Sequence, residues 1–304
     1  MKFFGLGFNA LVTFALMLCA GAAHSETINC TAITTVPYTI SAPGVYCVTQ
    51  KITSNLASGA AITIAANNVV LDLNDFAIGN LGAGPSTIAY GIYAVDRQNI
   101  VVKNGILRGF WIGVALLDGT SVGLTTALSS GHIVDGITSD HSYLAGIALN
   151  GPDCTVRNSR VLATQGSIVV NSQDPTQVNK AIGIAIGQGG NAYIYNNTVL
   201  DTDCVNGCTA ASAAAGGIYV QNAPNAVIEA NTVMNASLSA IATAFGIVAN
   251  DISPNVLIEQ NVVSTAAVGI LYDTATGATG KYRGNVTQGT TTPYSGGTPI
   301  GTNY

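Results

Sequence analysis

Charged side chains are scarce in this 304-residue chain, at 8% of the total, and their placement is uneven. The stretch from residue 96 to 160 holds Asp96, Arg97, Lys103, Arg108, Asp118, His132, Asp135, Asp140, His141, Asp153, Arg157 and Arg160. No Lys or Arg follows Lys180 until Lys281 and Arg283. The adjacent Asp140 and His141 are the sharpest feature. An imidazole beside a carboxylate is suited to take a proton from carbon, such as C5 of a sugar acid, and nearby guanidinium groups can hold the carboxylate of that sugar and the charge that develops. His141, Asp140 and Arg160 are therefore the candidate catalytic residues. Arg108, Arg157 and Trp111 are the candidate substrate-binding residues, Trp111 as a flat surface for stacking a sugar ring. Ion pairs between neighbouring structural units, with Trp111 packed under a loop, would account for the same residues without any ligand.

The elements that would position them come from a repeat. Gly91-Ile92, Gly113-Val114, Gly146-Ile147, Gly183-Ile184, Gly217-Ile218, Gly246-Ile247 and Gly269-Ile270 each open a short alternating strand, at steps of 22 to 37 residues. A second segment follows, with apolar pairs five apart: Leu73/Ile78, Val102/Leu107, Val156/Val161, Ile194/Val199, Ile228/Val233 and Ile258/Val263. Between the members of most pairs stand Asn or Gly, including Asn104-Gly105, Asn158, Asn196-Asn197, Asn231 and Asn261. These residue types tolerate left-handed backbone and let a strand bend without leaving its sheet. A strand, a bend, a strand and a turn, repeated at this period, describe a solenoid of parallel β-structure. Dense Val, Ile, Thr, Gly and Asn without a three-to-four apolar spacing exclude long helices after residue 23, and the shortest repeats are too small for four-stranded propeller blades. The fold class expected is all-β, a single-domain right-handed parallel β-helix with an N-terminal cap. The hand follows from the twist of parallel connections.

Residues 1–23 have the form of a secretory signal, with Lys2, an apolar run from Phe3 to Leu18, and small residues through Ala23. The expected divisions are a signal over 1–23, a cap over 24–60, the β-helix over 61–288 and a tail over 289–304. No later segment is apolar for long enough to span a membrane as a helix. Export, to the periplasm or beyond the cell, allows disulfides. Cys30 with Cys47 and Cys204 with Cys208 are the expected pairs, each closing a short loop, while Cys154 stays reduced in the core. A metal at Cys204 and Cys208 would lack two further ligands nearby, so no metal or other cofactor is expected. The net charge of −5 and the absence of a basic cluster exclude nucleic acid as a partner.

Taken together, Cys30, Pro37-Tyr38-Thr39-Ile40, Pro43-Gly44-Val45-Tyr46-Cys47, Ala61-Ile62-Thr63-Ile64, Asn68 to Asn74 as Asn-Val-Val-Leu-Asp-Leu-Asn, and Asn104 to Phe110 as Asn-Gly-Ile-Leu-Arg-Gly-Phe resemble exported bacterial right-handed parallel β-helix proteins of the pectin-lyase-like superfamily. The resemblance covers nearly the whole chain after the signal. Asp75 stands where the usual Leu-Asp-Leu-Asn-Gly run has Gly. The superfamily includes polysaccharide lyases, hydrolases, C5-epimerases, accessory proteins and non-catalytic fibres, so the resemblance implies a fold and not an activity. The calcium-ligating acids of pectate-lyase-like enzymes, the three aspartates and Gly-His-Gly of polygalacturonase-like enzymes, and the Asp-Pro-His-Glu of alginate-epimerase-like enzymes do not occur in this sequence. The expected function is an exported β-helix that binds glycans or builds a surface structure with them. The alternative is a lyase, epimerase or hydrolase acting on a uronate-containing polysaccharide. The outward positions of the first strands read Tyr93, Ala115, Ala148, Ala185, Tyr219, Val248 and Leu271, an apolar stripe that implies a cover: the long insertions near 119–131, 164–181, 201–215 and 235–244, or else a second copy of the chain or an apolar ligand.

Overall fold

The structure is a computed structural model that describes residues 27–119, 128–167, 180–205, 214–234, 236 and 243–304. Among these the chain is almost entirely strand and turn, with one short 3-10 turn at Leu81–Ala83. The strands coil as a right-handed parallel β-helix. Ten strands stack into one sheet, from Tyr38–Ile40 through Tyr90–Val95, Ile112–Leu117 and Ala145–Asn150 to Thr292–Ser295. The other 18 form a second sheet, bent along its length. Parallel pairing already includes Thr31–Ile33 and Gly44–Val48 and reaches Thr298–Pro299.

All six apolar pairs read from the sequence point inward and are fully buried, within a single core that runs the length of the coil. The coil at Ile133–Asp140 places Val134 and Ser139 at the equivalent inward positions. Its second member is a hydroxyl bonded to Ser142 Oγ at 2.9 Å, which removes this coil from the apolar pattern.

The recurrent glycines have a packing cause. A Cβ on Gly217 would lie 2.2 Å from Val233 Cγ1 and 2.7 Å from the Gly246 carbonyl, and Gly183 and Gly246 meet Val199 and Val263 in the same way. The first sheet thus runs so close to the inward Val of the second that only glycine fits.

Asn performs two tasks one residue apart. Asn104, Asn158 and Asn196 take left-handed φ of 50°, 51° and 54° and make the bend, a place filled elsewhere by Gly136, Ala230, Gln260 and Gly284. The next residue turns inward. Asn197, Asn231, Asn261 and Asn285 form a buried ladder in which each side-chain oxygen accepts the backbone N–H of the coil before it, at 2.9–3.0 Å. Unpaired, those amides would each cost about 1–3 kcal/mol inside the core.

Cys30 and Cys47 are joined, and Cys154 is buried and free. Cys204 is disulfide-bonded; its expected partner Cys208, like the expected signal over 1–23, lies outside the described residues. Among the described residues no helix is long and apolar enough to cross a membrane.

Candidate functional site

The register of the bent sheet decides which sequence candidates meet. Arg108, at the end of Ile100–Arg108, lies directly opposite Asp140, at the end of Ile133–Asp140. Both side chains point outward from the core. Arg108 Nε donates to Asp140 Oδ2 at 2.8 Å. His141 follows at the turn with φ of 54°, in the column of left-handed residues that also holds Gly109, Ala163 and Thr265. Its Nδ1 lies 2.6 Å from Asp140 Oδ1. One carboxylate therefore holds an arginine and an imidazole, one with each oxygen. Arg108 and His141 stay over 40% exposed, whereas Asp140 beneath them is 16% exposed.

Arg160 lies on the same outward face in the next coil, opposite Thr138 and two residues before the position that faces Asp140. Arg157 occupies the other arm of the bent sheet. Its Nε donates to Asp135 Oδ2 at 2.8 Å and its Nη1 to Tyr195 Oη at 3.2 Å. The Tyr195 hydrogen bond, with the carboxylate of Asp135, raises the Arg157 pKa further.

Trp111 does not serve as an exposed stacking surface. It is 4% exposed, packs with Ile112, Tyr143 and Leu144, meets Tyr90 edge-on, and donates from Nε1 to Ser167 Oγ at 2.9 Å. The chain turns the corner after Gly109 and Phe110, so Trp111 stands just before Ile112–Leu117 of the ten-stranded sheet and belongs to a second, smaller apolar cluster on that sheet's outer side. Of the apolar stripe, Ala115, Ala148 and Val248 are buried, while Tyr93, Ala185, Tyr219 and Leu271 are half-buried. The insertions expected above it fall largely outside the described residues.

His132 is also not at the surface. It is fully buried, with Nε2 2.7 Å from Ser129 Oγ and Nδ1 accepting the Ile100 amide at 3.4 Å. Accepting at Nδ1 fixes the proton on Nε2, and burial pushes the pKa of the ring down to about 4.

Sequence reasoning overlooked a second outward group. The column that begins at Cys47 and Asp72 continues, coil by coil, through Lys103, Asp135, Arg157, Tyr195, Glu229, Glu259 and Arg283. Lys103 pairs with Asp72 at 3.0 Å and Arg283 with Glu259 at 2.5 Å. Tyr193, two residues before Tyr195 and stacked on it at 4.5 Å, donates its hydroxyl to Glu229 Oε2 at 2.5 Å. That hydrogen bond pushes the Tyr193 pKa up to about 12. The signal in the sequence was the position shared by these residues, one before the bend, in coils 22 to 38 residues apart. Among the described residues no three His, Cys, Asp or Glu side chains gather as a metal-ligand set.

The family described as right handed beta helix region matches residues 176–291. No curated protein matches the chain. Among solved structures, an alginate lyase in complex with G6 is similar at a TM-score of 0.43 and 14% identity, over 83% of this chain and 54% of its own. The catalytic domain of a GH87 α-1,3-glucanase in complex with tetrasaccharides is similar at a TM-score of 0.26 and 13% identity, over 90% of this chain and 67% of its own. This chain thus spans about half the length of the alginate lyase.

Proposed function

We propose that this right-handed parallel β-helix is an exported protein that binds a uronate-containing glycan on the outer face of its bent sheet. The observation that carries the reading is the way Arg108 is held. Asp140 takes the Nε edge of the guanidinium at 2.8 Å, and among the described residues no protein group takes the two Nη nitrogens. A guanidinium fixed along one edge presents its other donors as a fork for a carboxylate. Arg160, exposed on the same face two coils beyond Arg108, supplies a second cation for a further acidic unit. Export is supported by the Lys2 and apolar run at the start of the chain and by the Cys30–Cys47 disulfide.

A second reading, an enzyme that removes a sugar C5 proton, is favoured by one observation. Asp140 fixes His141 through Nδ1 at 2.6 Å, which directs Nε2 away from the carboxylate as a base beside the Arg108 guanidinium.

Purified protein titrated with oligogalacturonate and with alginate oligosaccharides tests both. Arg108→Ala and Arg160→Ala are expected to weaken binding by about tenfold each, with thermal unfolding nearly unchanged, since surface substitutions move stability by about 0.5 kcal/mol or less. His141→Ala leaves binding in place and, under the second reading, abolishes the ultraviolet absorbance of unsaturated product. Uronate binding that survives both arginine substitutions would remove the proposal.

A further inference from the structure

We infer that the other arm of the bent sheet carries a second carbohydrate site, for a neutral glycan lying along the helix axis, built on Tyr193, Tyr195, Glu229, Glu259 and Arg283. It is separate from the arginine and Asp140 site, and each can fail without the other.

Ion pairs between coils account for the N-terminal part of this column. Asp72 with Lys103 and Asp135 with Arg157 alternate in sign and close on each other. That logic stops at Tyr195. Glu229 and Glu259 then face each other in register on adjacent parallel strands, about 4.8 Å apart along the axis. Like charges directly opposite on a sheet repel and destabilise it. A column built only for stability would place a cation or an apolar residue at one of the two positions.

The pair is instead held apart in its contacts. Glu229 is fixed from the N-terminal side by the Tyr193 hydroxyl and Glu259 from the C-terminal side by Arg283 Nε. Among the described residues both are engaged through Oε2 alone; Glu229 is half-buried and offers Oε1 as the accessible acceptor, while Glu259 is buried at 8% exposure and lies behind it as the paired charge. The pair is flanked by Tyr193 and Tyr195, stacked on each other and half-exposed. In the column from Asp72 to Arg283 this is the single aromatic platform, and it directly precedes the two acids.

Sugar hydroxyls donate to carboxylates and accept from guanidinium groups, and the apolar face of a pyranose lies on aromatic rings. The site offers both acceptors and donors, with a platform beside them. An acidic sugar would bring a third negative charge against Glu229 and Glu259, so the occupant is neutral. An extended polymer meets the same outward column at every coil, which sets its direction along the axis.

Calorimetric titration with xylo-, cello-, manno- and laminari-oligosaccharides, alongside oligogalacturonate, tests the inference. At least one neutral series is expected to bind. Glu229→Gln, which keeps the shape of the side chain, and Tyr195→Ala should each weaken that binding about tenfold or more. Uronate binding should be unaffected, and the unfolding midpoint of Glu229→Gln should be unchanged or raised as the repulsion is relieved. Absence of binding to all four neutral series overturns the inference. So does equal binding by wild type and Glu229→Gln, or a loss of neutral-sugar binding caused by Arg108→Ala instead.

Discussion

Removing one rung of the buried asparagine ladder gives the most direct test of how the coils are held. In Asn197→Ala, the Ser159 N–H loses its acceptor at 3.0 Å, and the Val156 carbonyl loses a donor at 2.9 Å. Asn231 Oδ1 loses the Asn197 side-chain donor but keeps the Asn197 backbone N–H at 3.0 Å. The orphaned, buried amide costs about 1–3 kcal/mol and the bond to Val156 about 1 kcal/mol more, for a total of about 2–4 kcal/mol. Its neighbour Asn196 provides the control. That side chain is exposed, donates only to Asn158 Oδ1 at 2.8 Å, and sits at a bend where other coils have Gly136 and Gly284. Asn196→Gly should change stability by about 0.5 kcal/mol or less. Asn197→Ser should fall between the two, because the preceding rung is Ser159, whose Oγ accepts the Ile137 amide at 3.2 Å. Urea unfolding followed by circular dichroism, compared at equal slope, reads all three. Equal losses at 196 and 197, or a loss under about 0.5 kcal/mol for Asn197→Ala, would refute the account of the ladder.

The glycine pair 216 and 217 separates packing from backbone freedom: Gly217→Ala should destabilise by about 1–3 kcal/mol through overpacking against Val233. Gly216→Ala, with nothing within 4 Å of the new Cβ, should be close to neutral in the same thermal melt. Acid should weaken the fold through His132. With a pKa of about 4 in the folded state against 6.5 for the free side chain, the unfolded chain binds the proton first. Stability from this group is intact above about pH 6.5, falls as the pH drops toward 4, and stays reduced below that. The loss is about 3 kcal/mol at most. His132→Gln should flatten the pH dependence of the unfolding midpoint in that window, and an unchanged slope would show that His132 is not its source.

Legibility in this chain follows the range of the interaction. The inward pairs such as Val102/Leu107 and Ile194/Val199 could be read directly, because burial within one coil repeats at fixed local spacing. The glycine starts were legible for the same reason, although only the close approach of Val233 to Gly217 explains why glycine is required. Cys30 and Cys47, 17 residues apart, form a loop short enough for their pairing to be expected from their placement. Other features were settled only by the tertiary structure. Trp111 read as a flat surface for stacking a sugar from its place beside the charged segment, yet the corner at Phe110 buries it. Arg108 and Asp140 are 32 residues apart, and Tyr193 and Glu229 are 36 apart. Insertions make the coils unequal in length, so no constant spacing relates these partners. The stacking of parallel strands sets their register instead, bringing residues from successive coils to one strand spacing of each other. Composition and period thus determine that the chain coils, while the lateral hydrogen bonding of the coils decides which outward side chains share a surface.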